Sequence, residues 1–366
     1  MKEGSNHNTR LMIIGDLYES FKEFEEMGFL SRMFELYTIY AKYFDKIYIK
    51  TYERDRFKNL PENVEHIPFI NHRVPFRKCA YFFLAGLLHY RHVDCVEIDG
   101  ATAIIPALIH KILGARVFLY HNWDMAMTFK EQGKPVRSLL ANAIQIIAFK
   151  TADVVAVTTD ELERVAKKHK RGYNVHLVPN YVNINHFRPI TTAKEKNLLI
   201  FVGRLHPDKN LEMLLQVMRS LPDFKLWIIG EGILRDELVS FKTEKRIDNV
   251  EFIGVIPNEE LPTYLNTAEA FILVSHREGH PRALIEAMAC GLPCIGTNVD
   301  GIREVIIPGE TGFLCNKTVD SIRSCVVTMF DDREQMKRLG ENARGFAAEN
   351  YTMEKLVTRK IRFIKG

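Results

Sequence analysis

With 366 residues, 46% of them hydrophobic and 26% charged, the chain has the composition of a folded globular protein, which excludes an intrinsically disordered or collagen-like chain. It is too long for one ordinary core and fits two domains of roughly 180 residues each. Lys+Arg against Asp+Glu stand at 26 to 21 over residues 1–190 and 24 to 25 over 191–366, so the net +4 lies in the first half, where an anionic partner is allowed but not required.

The polar start MKEGSNHNTR runs directly into an apolar stretch, so no cleavable signal is expected. RLMIIGD (10–16) reads as a first buried strand. A long loop through Gly28 follows, then a helix over 30–43. KIYIKTY (46–52) and VEHIPF (64–69) read as the second and third strands, VDCVEID (93–99) as the fourth and ARVFLYH (115–121) as the fifth. TAIIPALIHKIL (102–113) is helical in pattern, and ADVVAVTT (152–159) and NVHLVPN (174–180) close the half. Arg73, Arg77 and Lys78 precede the apolar run AYFFLAGLL at 80–88. That run is shorter than the roughly 20 residues a membrane-spanning helix needs. Two readings stay open for it: a helix lying in an anionic membrane interface, or a buried amphipathic helix of the first domain.

YVNINHFRPITT (181–192) interrupts the pattern and marks the link. A second alternating series follows: NLLIFVG, LEMLLQVM, FKLWIIG, a helix over 234–245, VEFIG, ELPTYLNTA, AFILVS, a helix after Pro281, and LPCIGT; residues from 321 onward are helical. Short apolar strands alternating with helices predict parallel sheets covered on both faces, α/β in class, in two doubly wound domains: 1–185, and 186–350, with a last helix over 351–366. Ligands of such sheets bind beyond the carboxyl ends of the strands. Cys79, Cys95, Cys290, Cys294, Cys315 and Cys325 are scattered through these elements, and no second Cys or His pair stands at ligand spacing beside Cys290 and Cys294. They are expected to be small buried hydrophobes in a reducing compartment, not a metal site.

SHREGHPRALIEAMACG (275–291) places two carboxylates, Glu278 and Glu286, eight positions apart across a strand–loop–helix junction. The helix is predicted to start near Ala283, with Glu286 in its first turn. The N–H groups of Arg282, Ala283 and Leu284 then suit a phosphate or sugar oxygen. This stretch resembles the Glu-x7-Glu signature of the family 4 glycosyltransferases, retaining enzymes of the GT-B fold. FVGRLHPDKN (201–210) resembles the family's Gly-Arg…Lys segment and NVDGIREVIIPGETGFL (298–314) its Gly-rich run, with IIGEG (228–232) and EFIGVI (251–256) between them in the family order.

The resemblance implies two Rossmann-like domains facing a central cleft, with the last helix crossing back to the first domain. It implies a nucleotide-sugar donor, UDP- or GDP-linked, a glycan or lipid-linked acceptor, and synthesis of a polysaccharide or glycolipid at the cytoplasmic membrane face; no nucleic acid is implied. Arg204 and Lys209 take the diphosphate, where negative charge builds as the sugar leaves. Glu286 takes the ribose hydroxyls, and Glu278, with Gly279 and His280, the donor sugar. Gly203, Pro281, Ala283, Leu284, Val255 and Gly28 complete the donor side, His121 is a polar contact to the donor sugar, and Asp124 is a candidate for the acceptor hydroxyl or a helix cap. No Asp-x-Asp stands at a strand end, so neither metal nor cofactor is expected. Two departures stand out: Gly28 where the family commonly has Gly-Gly, and NYVN (180–183) where it has Asn-Gly-Val-Asp. The rival readings are a GT-B-type sugar-nucleotide epimerase, a dinucleotide-binding or regulatory protein, and a non-catalytic glycan-binding relative. The second requires Gly-x-Gly-x-x-Gly, which the near match at 230–232 does not complete.

Overall fold

The computed structural model describes residues 9–15, 30–51, 59–68, 91–131, 133–170 and 174–366. Gly28, Cys79, the Arg73–Arg77–Lys78 cluster and the run 80–88 lie outside them. The chain divides into two compact units, one formed by residues 1–178 and 357–366, the other by 179–356.

The first unit is built on a seven-stranded parallel sheet in the order β3-β2-β1-β4-β5-β6-β7. Its strands are β1 (Arg10–Ile14), β2 (Lys46–Thr51), β3 (Val64–Pro68), β4 (Cys95–Asp99), β5 (Arg116–His121), β6 (Val154–Val157) and β7 (Val175–Leu177). The described helices of this unit are α1 (Leu30–Tyr40), α2 (Ile104–Ile112), α3 (Met125–Glu131), α4 (Pro135–Thr151) and α5 (Asp160–His169). Leu11 to Ile14 and Val154 to Val157 are buried without alternation, as parallel strands covered on both faces must be. Met12, Val96, Ile98, Val117, Leu119 and Val155 form a core with Ala148 and Phe149 of α4. Helix α5 starts where Thr159 Oγ1 accepts from Leu162 N at 3.3 Å. Its first turn is acidic and its last basic, as the helix dipole favours.

The second unit carries a six-stranded parallel sheet, β10-β9-β8-β11-β12-β13. These strands are β8 (Leu198–Val202), β9 (Lys225–Ile229), β10 (Val250–Gly254), β11 (Ala270–Leu273), β12 (Cys294–Thr297) and β13 (Gly312–Cys315). Helices α6 (Leu211–Arg219), α7 (Arg235–Glu244), α8 (Leu261–Thr267), α9 (Arg282–Ala289), α10 (Val319–Asp331) and α11 (Arg333–Asn350) cover it. Leu211, Leu214, Leu215 and Met218 form the buried stripe of α6 at helical spacing. Cys95, Cys290, Cys294 and Cys315 are buried thiols, whereas Cys325 is half-buried.

The last helix, α12 (Met353–Lys365), starts in the second unit, and from Val357 onward it belongs to the first. There Lys360 Nζ reaches Glu97 Oε1 at 2.5 Å, Tyr40 Oη donates to Glu97 Oε2 at 2.9 Å, and the ammonium lies 4.1 Å from the centre of the Tyr120 ring. Both charged side chains are about 95% buried. Removing one partner strands the other charge, so Lys360→Ala is expected to destabilise the first unit by about 3–5 kcal/mol in denaturant unfolding. A loss under about 1 kcal/mol would show that the pair does not anchor α12.

Candidate active site at the strand ends

In each sheet all the strands are parallel, so their carboxyl ends share one edge. In the second unit that edge carries Gly203 and Arg204 after β8, Gly230 after β9, Val255 after β10, Glu278 after β11 and Gly301 after β12. The loops there are fastened to one another by backbone. Gly203 N donates to Ile229 O at 3.0 Å, Leu205 N to Glu231 O at 2.9 Å, and Gly230 N to Gly254 O at 2.7 Å. Gly230 has φ 127°, and a Cβ on it would overlap the carbonyl of Gly203. The glycine of IIGEG therefore serves close backbone approach, which holds the loop of Arg204 in place. Arg204 itself is exposed.

Lys209 stands ahead of the helix that follows it. It ends a 3₁₀ turn, Pro207–Lys209, and α6 begins two residues later, after Asn210 in the left-handed region at φ 54°. Asn210 Nδ2 donates to Val274 O at 3.2 Å, and His276 N to Asp208 O at 2.8 Å, so this turn is tied to the end of β11. The tie brings Lys209 Nζ to 2.5 Å from Glu278 Oε1, with the two side chains 18% and 7% exposed. Ser275 Oγ donates to the same carboxylate oxygen at 2.5 Å, and Thr297 Oγ1 to Ser275 O at 2.7 Å. Glu278 is therefore held by Lys209 from the turn after β8 and by Ser275 of its own loop, which Thr297 at the end of β12 fastens in turn.

The segment after Glu278 is held as tightly. Gly301, at φ 77°, lies against Gly279, whose carbonyl a Cβ would overlap. Asn180 Nδ2 donates to His280 O at 2.6 Å, and the His280 ring packs edge-on against Tyr351, centroids 5.1 Å apart. Burial, and then the Arg282 cation, push the His280 imidazole down to about 3, so it is neutral; its buried Nδ1 has no partner among the described residues. Pro281 precedes α9, and the first intrahelical bond is Ile285 N to Pro281 O at 3.3 Å. The N–H groups of Ala283 and Leu284 thus have no intrahelical acceptor.

Glu286 is the fifth residue of α9 and so lies in the second turn, not the first, because the helix starts at Arg282. It is 3% exposed, and burial together with the Glu286 charge pushes the Cys290 thiol up to about 12. A buried carboxylate on a helix beside a site is not a solvated surface residue.

Two candidates stand in the first unit. His121 ends β5, is 1% exposed and meets Phe149 edge-on at 5.0 Å. Burial lowers it to about 4 against the opposing pull of Asp124, so it too is neutral; neither ring nitrogen has a hydrogen-bond partner among the described residues. Asp124 caps α3, accepting from Met127 N at 2.9 Å. The structure thus brings together Gly203, Lys209, Glu278 and Gly279 by contact, and places Arg204, Val255, Pro281, Ala283, Leu284 and Glu286 around the same edge. Ser275, Thr297, Asn180 and Gly301 were missed in the sequence. Only Ser275, three residues before Glu278, carried a local signal.

Two parallel Rossmann-like sheets with this edge define the GT-B fold of glycosyltransferases. Sucrose-phosphate synthase from Thermosynechococcus elongatus has the same fold, with a TM-score of 0.83 at 19% identity over 98% of each chain. An Anabaena protein, HepE, in complex with UDP and glucose superposes with a TM-score of 0.77 at 15% identity over 98% of this chain and 100% of its own. Residues 183–346 match the family model Glycosyl transferases group 1. An uncharacterized glycosyltransferase of Methanocaldococcus jannaschii is 28% identical over 44% of this chain and 46% of its own length, so the match spans less than half of that relative. N-acetyl-alpha-D-glucosaminyl L-malate synthase of Bacillus anthracis is 26% identical over 75% of each.

Neutral His280 carries a pH dependence. An unfolded histidine titrates near 6.5, above the folded value of about 3, so below pH 6.5 the unfolded state binds more protons. Stability is therefore complete above pH 6.5 and is lost as pH falls toward 3, at up to about 1.4 kcal/mol per pH unit from this group. Thermal melts of the second unit's transition between pH 7 and 4.5 are expected to fall less steeply in His280→Phe, which keeps the ring against Tyr351; equal slopes would show that His280 is not buried neutral.

Proposed function

We propose that the protein is a retaining glycosyltransferase that moves a sugar from a UDP- or GDP-linked donor to a glycan or lipid-linked acceptor. The observation that carries this reading is the Lys209–Glu278 pair at the strand edge, with Arg204 on the adjoining loop. An ammonium has three donors and Lys209 commits one to Glu278, so the others face the diphosphate. As the anomeric carbon–oxygen bond breaks, charge grows on the leaving diphosphate, and Arg204 and Lys209 stabilise it without a divalent ion. Lys209 and Ser275 both reach Glu278 through Oε1, so Oε2 is the oxygen that accepts from a hydroxyl of the donor sugar. The N–H groups at the start of α9 complement the phosphate, and Glu286 accepts from the ribose. The Glu278…Glu286 spacing acts here as the family signature.

Retention follows a front-face route, with the leaving phosphate taking the acceptor proton and Glu278 binding sugar instead of attacking it. In the first unit neutral His121 is the candidate contact to the donor sugar, and Asp124 to the acceptor. The HepE complex with UDP and glucose supports a nucleotide sugar as the donor class. The setting is the cytoplasmic face of the membrane, where such donors and lipid-linked acceptors meet.

The test is thermal stabilisation by UDP-, GDP- and ADP-sugars in EDTA, followed by turnover with the stabilising donor. A donor at 100 times its Kd is expected to stabilise the protein by about 2.7 kcal/mol. Arg204→Ala and Lys209→Ala are each expected to lower turnover by about 10²–10³, as removal of an oxyanion donor does. No stabilisation by any nucleotide sugar, or unchanged turnover in both variants, would overturn the reading.

A further inference from the structure

Helix α10 follows β13 after a short connection and packs against it, so the inner face of the helix meets the end of that strand. Thr318 caps the helix, its Oγ1 accepting from Ser321 N at 3.3 Å, and Ile322, Val326, Met329 and Phe330 form the buried stripe at helical spacing. Cys325 borders that stripe and is half-buried, with Sγ aimed at Leu314 O from 3.9 Å. Cys315 stands next to Leu314 at the end of β13, and its thiol hydrogen-bonds to Cys325. Two thiols ten positions apart in the chain thus lie side by side, one half-buried and one buried.

Among the described cysteines this pair differs from the rest. Burial pushes the Cys95 thiol up to about 11 and raises Cys290 and Cys294 further, as inert core thiols require. Cys325 moves the other way: the hydrogen bond from Cys315 holds it below the ordinary thiol range, against the opposing effect of burial. The thiolate is the nucleophile in disulfide exchange, and an accessible thiol with a second one beside it to resolve the adduct is the arrangement of a redox-sensitive pair. We propose that Cys315 and Cys325 are an oxidative modification site, closed to an intramolecular disulfide by a low-molecular-weight disulfide and reopened by thiols. The Cys325 thiolate attacks one sulfur of the small disulfide, whose S–S bond breaks, and the first small thiolate leaves and takes up the proton that Cys325 lost. Cys315 then gives its proton to solvent, attacks Cys325 Sγ and expels the second small thiolate, which is protonated in turn. The protein loses two electrons and two protons, and the small disulfide gains both.

The pair also bears on β12. Cys315 Sγ lies 3.2 Å from Gly296 O, Asn298 N donates to Cys315 O at 2.8 Å, and the sheet register sets Cys315 against Thr297. A disulfide removes the Cys315 Sγ–H and draws the sulfur toward α10, so it loosens the strand end from which Thr297 fastens Ser275. Oxidation therefore reaches the loop of Glu278, whatever that loop binds.

The full native chain is incubated in glutathione buffers from fully reduced to fully oxidised, blocked with N-ethylmaleimide and digested with trypsin. Cleavage after Lys317 and Arg323 puts the two cysteines in different peptides. In the oxidised buffer these peptides are expected as one linked species, lighter than their sum by two hydrogens and separated again by dithiothreitol. Cys315→Ser is expected to retain glutathione on Cys325, with Cys315→Ala as the apolar alternative at that buried position. Cys325→Ser, at a half-buried position, is expected to form neither the link nor an adduct on Cys315. Amide exchange over 275–280 is expected to be faster in the linked form and to return on reduction. No link in the native chain, a link only in urea, or glutathione on Cys315 instead of Cys325 would overturn the modification site, and equal exchange in the two forms would overturn its reach to Glu278. Neither readout uses a nucleotide sugar, so each of these results leaves the transferase reading to its own test.

Discussion

The second unit is organised around one short ion pair. Lys209 and Glu278 stand on loops that follow different strands, yet the carboxylate and the ammonium meet at 2.5 Å in a largely buried setting. Desolvating two charges is costly, and the attraction offsets it only when geometry is good and further hydrogen bonds satisfy the groups. Ser275 supplies one, and Thr297 fixes the backbone of Ser275 in turn. The result is a polar chain running across the ends of β8, β11 and β12. Such pre-organisation is what a site needs when charge develops during the reaction.

Around that chain the backbone is packed more closely than side chains would permit. The turn that carries Lys209 and the segment from Gly279 to Pro281 are each held by hydrogen bonds from remote positions, Asn210 to Val274 O and Asn180 to His280 O. Asn180 opens the second unit, and Tyr351, which packs on His280, lies near its end. Residues near both ends of the second unit thus touch the loop that bears Glu278. The first unit has its own buried polar anchor in Lys360 and Glu97, which fixes the final helix to its sheet.

The architecture was legible because strands buried on both faces are unbroken apolar runs: RLMII, LLIFV and AFIL each announce themselves, and their spacing requires a parallel sheet. The ends of elements were less legible. Glu286 moved from the first turn to the second because a helix can begin one residue earlier behind a proline N-cap. Lys209 stands outside the helix because Asn210 adopts a left-handed conformation that no periodicity reveals. For Asp124 the sequence left a cap and an acceptor contact open, and the structure shows the cap. What could not be read at all were contacts between distant positions. Asn180 and His280 are 100 residues apart, and nothing local marks them as partners.

The pairing of Lys209 with Glu278 is tested most directly by a double-mutant cycle on nucleotide-sugar turnover, using Lys209→Met, Glu278→Gln and the combination. If the two act as one unit, the double variant loses little more than either single variant, and the coupling exceeds about 1 kcal/mol. Losses that simply add, with coupling below about 0.3 kcal/mol, would mean that the two side chains act independently and that their ion pair is incidental to turnover.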